Sequence, residues 1–255
     1  MPERSLMAAN WKMYKTVGES AAYAKELARR MESFSQEGPE QVICPTLPAL
    51  YTVGRALSQS SVKVGAQSLD LGLEGANTGA VSGYLIREAG ASYVIVGHSE
   101  RRQLYGEDDA LVAHKAAAAA ESHLIPIICV GETELQRKAE ETDQVVRRQV
   151  TRALENLADS TAVVVAYEPL WAIGTGVVPD PVEANRVAEL IRDAAEKLLP
   201  ETPHSLRILY GGSVNRGNIR DFARQPHLDG ALVGGASLDV GHWLDLIQGW
   251  QEVRR

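Results

Sequence analysis

Cysteine is scarce in this chain. Cys44 and Cys129 are its two, too few for a disulfide framework, so a reducing cytoplasm is the expected setting. Long apolar runs are missing as well: none nears the roughly 18 residues of a membrane span, and Met1-Pro2-Glu3-Arg4-Ser5 lacks the apolar core of a signal peptide. There is no surplus of basic charge. A formal net charge of -7 leaves no broad basic face for nucleic-acid phosphates. No Pro/Gly/Ser-rich linker divides the sequence. What remains is an ordinary globular composition, 45% hydrophobic and 23% charged over 255 residues, which excludes disorder, collagen and coiled coil as the main architecture. That length suits one large domain or two small ones and is ample for a sizeable core, and residues 1–255 are read as one domain. An acidic chain repels anions, so a site for an anionic ligand must be locally positive.

Short β-rich apolar runs alternate with longer helical patterns from end to end. The strand candidates are Leu6 to Trp11, Gln41 to Cys44, Val62 to Ala66, Tyr93 to Gly97, Ile125 to Val130, Ala162 to Tyr167, Arg207 to Tyr210 and Gly230 to Gly234. Helical periodicity marks Glu19 to Met31, Asp108 to Ser122, Glu134 to Leu157, Pro181 to Leu199 and His242 to Val253. Asp180-Pro181-Val182-Glu183 reads as a helix start, with an N-cap acceptor, proline at N1 and a glutamate at the capping-box position. Met13 to Val17, Leu69 to Gly83 and Trp171 to Pro179 read as connections. Several strands are continuous Val/Ile runs, as expected when helices cover one face and a packed interior the other. Eight β-then-α units fit a single-domain (β/α)8 barrel, with an open doubly wound sheet as the competitor. In either fold the chemistry belongs at the C-terminal ends of the strands.

Those ends are rich in polar groups. The first carries Asn10-Trp11-Lys12, and the fourth carries Gly97-His98-Ser99-Glu100-Arg101-Arg102. The sixth ends in Tyr167-Glu168-Pro169, a carboxylate directly after an apolar run. Burial there is expected to raise its pKa and to make Glu168 a general base. Next comes Trp171-Ala172-Ile173-Gly174-Thr175-Gly176, a small-residue tip between prolines 169 and 179 that suits a water-excluding lid. The last two strands end in Gly211-Gly212-Ser213 and Gly234-Gly235-Ala236-Ser237. Paired glycines let backbone N–H groups approach an anion, and phosphate binding after the last two strands recurs in barrels. Each feature also has a bland reading: a solvated lysine, a packed histidine, an ion-paired acid or a plain turn.

Taken together and in order, these segments resemble the triosephosphate isomerase family. The likeness is carried by Asn10 to Met13, Gly97 to Arg102, Cys129-Val130-Gly131-Glu132, Ala166 to Gly176, Tyr210 to Val214 and Gly234 to Ser237, and it covers essentially residues 4 to 253. It implies a barrel homodimer that interconverts dihydroxyacetone phosphate and glyceraldehyde 3-phosphate, a step of glycolysis and gluconeogenesis, without metal or organic cofactor. It also implies site roles. Glu168 is the base, and His98 is the neutral electrophile, the assignment long taught for this family. Asn10 and Lys12 flank the oxyanion, with Lys12 also reaching the phosphate and Glu100 orienting Lys12. Amides of Gly174, Ser213, Gly234 and Gly235 form the phosphate cradle. Ile173 and Leu232 form an apolar clamp over Glu168.

The sequence departs from the family pattern in three places. Tyr14 replaces a small polar residue near the expected subunit contact. Asn77 and Ala80 replace an aromatic and a glutamate in the expected dimer loop, which leaves Arg101 in need of another partner. Val177-Val178-Pro179 replaces a lysine and small residues at the second lid hinge, where proline restricts the backbone and is expected to alter opening kinetics. Isomerisation of a related tetrose phosphate and a non-catalytic phosphate-binding scaffold remain as rival readings. A Schiff-base aldolase would need a lysine late in the barrel, and lysines 12, 15, 25, 63, 115, 138 and 197 supply none.

Overall fold

The computed structural model describes residues 5–32, 38–158, 161–172, 179–200 and 206–254. Its strands are β1 (Leu6–Asn10), β2 (Glu40–Cys44), β3 (Lys63–Ala66), β4 (Tyr93–Val96), β5 (Ile125–Val130), β6 (Val163–Tyr167), β7 (Leu206–Tyr210) and β8 (Gly230–Val233). All pair in parallel and in sequence order, and β8 returns to β1 to close a barrel. The helices are α1 (Val17–Met31), α2 (Leu50–Leu57), α3 (Gly83–Glu88), α4 (Ser99–Tyr105), α5 (Asp109–Glu121), α6 (Glu134–Lys138), α7 (Thr142–Leu154), α8 (Pro181–Glu196), α9 (Ile219–Ala223) and α10 (Val240–Arg254). None of the described helices is long and apolar enough to cross a membrane.

The period of two along each strand sorts side chains into two cores. Leu6 and Ala8, Val164 and Ala166, and Ile127 and Cys129 pack inside the barrel. Met7 and Ala9, Val163 and Val165, and Ile128 and Val130 face the helices. Both faces are buried, which is why these strands read as unbroken apolar runs. At the lower end of the interior, buried Arg207 donates to Glu40 Oε2 at 2.6 Å and to the Tyr93 hydroxyl at 2.7 Å. The cation thus joins three strands at the end away from the chemistry.

Helix starts follow local capping rules. Thr16 and Glu19 form a reciprocal capping box, so α1 begins at Val17, inside the stretch expected as a connection. Likewise, Ser82 caps α3 at Gly83, the last residue of the next expected connection. Asp180 accepts from the Val182 N–H ahead of α8 with Pro181 at N1, while Glu183 pairs with Arg186 instead of completing a box. The expected helix from Glu134 to Leu157 is two helices, separated at Glu140, whose φ is 60°. Left-handed backbone there ends α6 and lets α7 start on a new axis.

Barrel closure depends on a glycine. Gly230 faces Leu6 across the β8–β1 seam, and a Cβ there would lie 1.7 Å from the Leu6 carbonyl oxygen. Gly230→Ala is expected to destabilise the fold by about 1–3 kcal/mol or more through overpacking at the seam, measured as a lower midpoint in chemical denaturation.

Candidate active site

The parity that sends Asn10 inward continues past β6 to Glu168, because 164, 166 and 168 share a face. His98 arrives differently. Val94 and Val96 face the helices, so an extended chain would carry residue 98 the same way. Gly97, at φ 66°, breaks the extension. A Cβ there would also strike Val112 at 2.7 Å, so glycine is required twice over. His98 becomes the N-cap of α4, and its Nδ1 accepts the Glu100 N–H at 3.2 Å.

Glu168 is buried at 2% exposure. Its Oε2 accepts the Ser99 N–H at 2.9 Å, and its Oε1 lies 3.0 Å from His98 Nε2. Burial alone pushes this carboxyl up, yet His98, the Ser99 amide and Lys12 outweigh it and hold the group below the usual glutamate range. The expectation of a raised pKa is therefore wrong for the unliganded site. For His98, burial disfavours the charged form, but the Glu168 carboxylate favours it, and the net direction is upward. The Glu100 amide sets the tautomer: pointing at Nδ1, it occupies the lone pair a second proton would need. In the neutral imidazole, the hydrogen therefore sits on Nε2, where it faces Glu168 Oε1.

Lys12 sits beside this pair at φ 49°, a left-handed conformation that costs a non-glycine residue about 1–3 kcal/mol. Asn10 Oδ1 accepts its N–H at 3.0 Å, and Glu100 Oε1 accepts from Nζ at 2.7 Å. A cavity of about 280 Å³ is lined by Asn10, Lys12, His98, Glu168, Gly211, Gly212, Ser213, Leu232, Gly234 and Gly235, among others. The backbone N–H groups of Ser213, Gly234 and Gly235 have no acceptor among the described residues. They edge the cavity as donors ready for an anion. Ile173, Gly174 and the Val177-Val178 hinge lie outside the described residues.

Other contributors carry weaker sequence signals. Ser99 acts through its backbone N–H, which no side-chain pattern advertises. Gly131 is needed because a Cβ there would lie 1.8 Å from the Glu168 carbonyl oxygen, and one on Gly211 would lie 2.8 Å from Glu168 Cγ. Glu132, fully buried, accepts from Trp171 Nε1 at 2.9 Å and from the Tyr167 hydroxyl at 3.2 Å. Arg101 finds its partner within the chain: it donates to Glu107 at 2.6 Å and lies over the Tyr105 ring.

A closed parallel barrel with a carboxylate and an imidazole at its C-terminal mouth, beside a lysine and unpaired amides, defines a barrel enzyme of the acid–base class. The family model described as "Triosephosphate isomerase" matches residues 5–250. Among curated relatives, the triosephosphate isomerase of Moorella thermoacetica is 46% identical over 239 residues, covering 93% of this chain and 95% of its own. That of Endomicrobium trichonymphae is 42% identical over 247 residues, covering 96% and 98%. The crystal structure of triosephosphate isomerase from Bartonella henselae superposes with a TM-score of 0.86 at 33% identity, covering 97% of this chain and 99% of that one. The chain belongs to the triosephosphate isomerase family.

With a folded pKa below the free value of about 4.3, ionised Glu168 stabilises the fold above that pH. The contribution is lost as the pH falls through the folded value. Carboxyl-carbon NMR of the substrate-free protein is expected to place the Glu168 midpoint below about 4.3. A higher midpoint would mean that burial prevails over His98, Ser99 and Lys12.

Proposed function

We propose that this protein is a triose-phosphate isomerase that interconverts dihydroxyacetone phosphate and D-glyceraldehyde 3-phosphate through an enediolate, in glycolysis and gluconeogenesis. The observation that carries the reading is the 3.0 Å approach of His98 Nε2 to Glu168 Oε1. It occurs inside a cavity of about 280 Å³ that also holds Lys12 and the unpaired amides. That volume suits a three-carbon substrate. Residues 1–255 are taken as one catalytic barrel domain.

In this reading the His98 contact on Glu168 is a placeholder. A substrate carbonyl oxygen entering the cavity takes over the Nε2–H of His98 and frees Oε1. Losing one bond to the carboxylate raises its basicity at the moment a carbon-bound proton comes within reach. Glu168 removes the proton from the carbon beside the carbonyl, giving the enediolate. His98 Nε2–H then protonates the former carbonyl oxygen and takes the hydroxyl proton from the neighbouring oxygen, and Glu168 returns its proton to the former carbonyl carbon. His98, with Asn10 and Lys12 around the same oxygen, stabilises the developing charge; one such donor is worth about 2.7–4 kcal/mol in comparable sites. Lys12 and the Ser213, Gly234 and Gly235 amides hold the phosphate, which carries a charge of about −1.5 to −2. Leu232 limits water around Glu168. Roles for Gly174 and Ile173 as cradle and clamp rest on the family likeness. Glu168→Gln is expected to reduce kcat by about 10²–10⁴-fold while glycerol 3-phosphate still binds. Wild-type protein turning over in D2O should place deuterium on the carbon next to the carbonyl. Product free of deuterium, or a fully active Glu168→Gln, would overturn the assignment.

A homodimer is part of the proposal. Met13, Leu104 and Tyr105 are 94%, 74% and 68% exposed, and with Tyr14 they border a depression that also includes Lys12 and Glu100. An apolar patch this close to the site invites coverage by a second copy. Arg101, already paired within its own chain, does not require a carboxylate from the partner. Sedimentation at micromolar concentration is expected to give twice the mass of the chain, and a monomer there would remove the dimer. The free, buried state of Cys44 and Cys129 supports a cytoplasmic setting.

A further inference from the structure

Of the proposed catalytic residues, only Lys12 has positive φ. Two of its contacts belong to the scheme above, through its N–H and its Nζ. The third is its carbonyl oxygen, which accepts from Gln67 Nε2 at 2.8 Å. Gln67 is the first residue after β3, and the same nitrogen donates to the carbonyl of Cys44, the last residue of β2, at 3.0 Å. Both acceptors are carbonyl oxygens, so only the amide nitrogen of Gln67 can face them, and its two hydrogens are both used. The side chain therefore links the ends of two strands to the Lys12 peptide, the one left-handed non-glycine peptide among the described residues of the site. Nothing in the acid–base steps assigns Gln67 any part.

We infer that Gln67 is a positioning residue for the reaction: it fixes the Lys12 peptide in its left-handed conformation and so aims the ammonium at the substrate's anionic end. A lysine in that conformation with a free carbonyl would relax toward ordinary backbone angles, and its stem would leave the cavity. Gln67 itself is not among the residues that line the catalytic cavity. The inference rests on the reading of Lys12 as the cation that meets the anion.

A double-mutant cycle separates aiming from simple stapling of strand ends. Gln67→Met keeps length and volume and removes both donors. The affinity for 2-phosphoglycolate, kcat and KM are measured for wild type, Gln67→Met, Lys12→Met and the double variant. With Lys12 present, Gln67→Met is expected to weaken 2-phosphoglycolate roughly ten- to thirtyfold and to raise KM by more than it lowers kcat. In the Lys12→Met background the further loss should be less than about twofold. Equal losses in both backgrounds, or no loss with Lys12 present, would overturn the inference while leaving the role of Lys12 intact. Unchanged affinity in Lys12→Met alone would overturn both. If Gln67→Met does not fold, Gln67→Asn, which keeps the amide but shortens its reach, passes through the same cycle. Failure of both to fold would assign Gln67 to strand stapling and overturn the inference.

Discussion

Glu168 is a carboxylate taken almost entirely out of water and kept ionised there. Removing an unpaired charge from water costs several kcal/mol or more, so everything around the group is organised to offset that cost. The Ser99 amide and His98 each take one oxygen, and Lys12 adds positive potential. The same requirement explains the crowding behind it. Gly131 and Gly211 lie so close to Glu168 that neither position has room for a Cβ. A base held by a bond that a substrate can displace is weak at rest and stronger when occupied. A carboxyl made basic by burial alone would instead be partly protonated before any substrate arrived.

Regular strands deliver only part of this arrangement. Strand parity sends Asn10 and Glu168 into the barrel mouth with no special backbone. His98 and Lys12 reach it only through local departures, the left-handed glycine at 97 and the left-handed lysine at 12. Both departures occur within two residues of a strand end, where the ladder of hydrogen bonds stops constraining φ and ψ. The barrel therefore acts as a rigid ring whose rim is free to take strained conformations, and the packing beneath it keeps them from relaxing.

That division decides what could be read from the sequence. The eight strands were legible because burial on both faces leaves continuous Val/Ile runs, and the polar groups just after them stood out against that background. Short helices were harder. Five residues of α9 carry too little periodicity to register, and nothing about Glu140 as a residue type announces the break between α6 and α7. The direction of the Glu168 shift was misread because apolar neighbours in sequence signal burial, whereas its partners come from β4 and β1, distant along the chain. Gln67 was invisible for a related reason: a lone glutamine at a strand end has no chemical signature until its two carbonyl partners are seen.

Charge poses the last problem. A chain of net charge -7 has to attract a dianion under the proposed function, yet Lys12, the cation proposed to meet it, is already paired with Glu100. Lys12 and Glu100 are 26% and 43% exposed, so solvent screens the pair and its contribution to stability is small. Its effect is geometric, keeping a flexible side chain on one rotamer. The attraction for a phosphate must then come largely from groups that carry no formal charge. The amides after β7 and β8 fit that requirement, because they are fixed by the backbone and desolvate at little cost. Aligned dipoles also leave the overall charge free to stay acidic, which keeps the surface soluble and away from polyanions. A site built from lysines and arginines would bind the same ligand, but it would place several like charges around one small cavity whenever the ligand is absent.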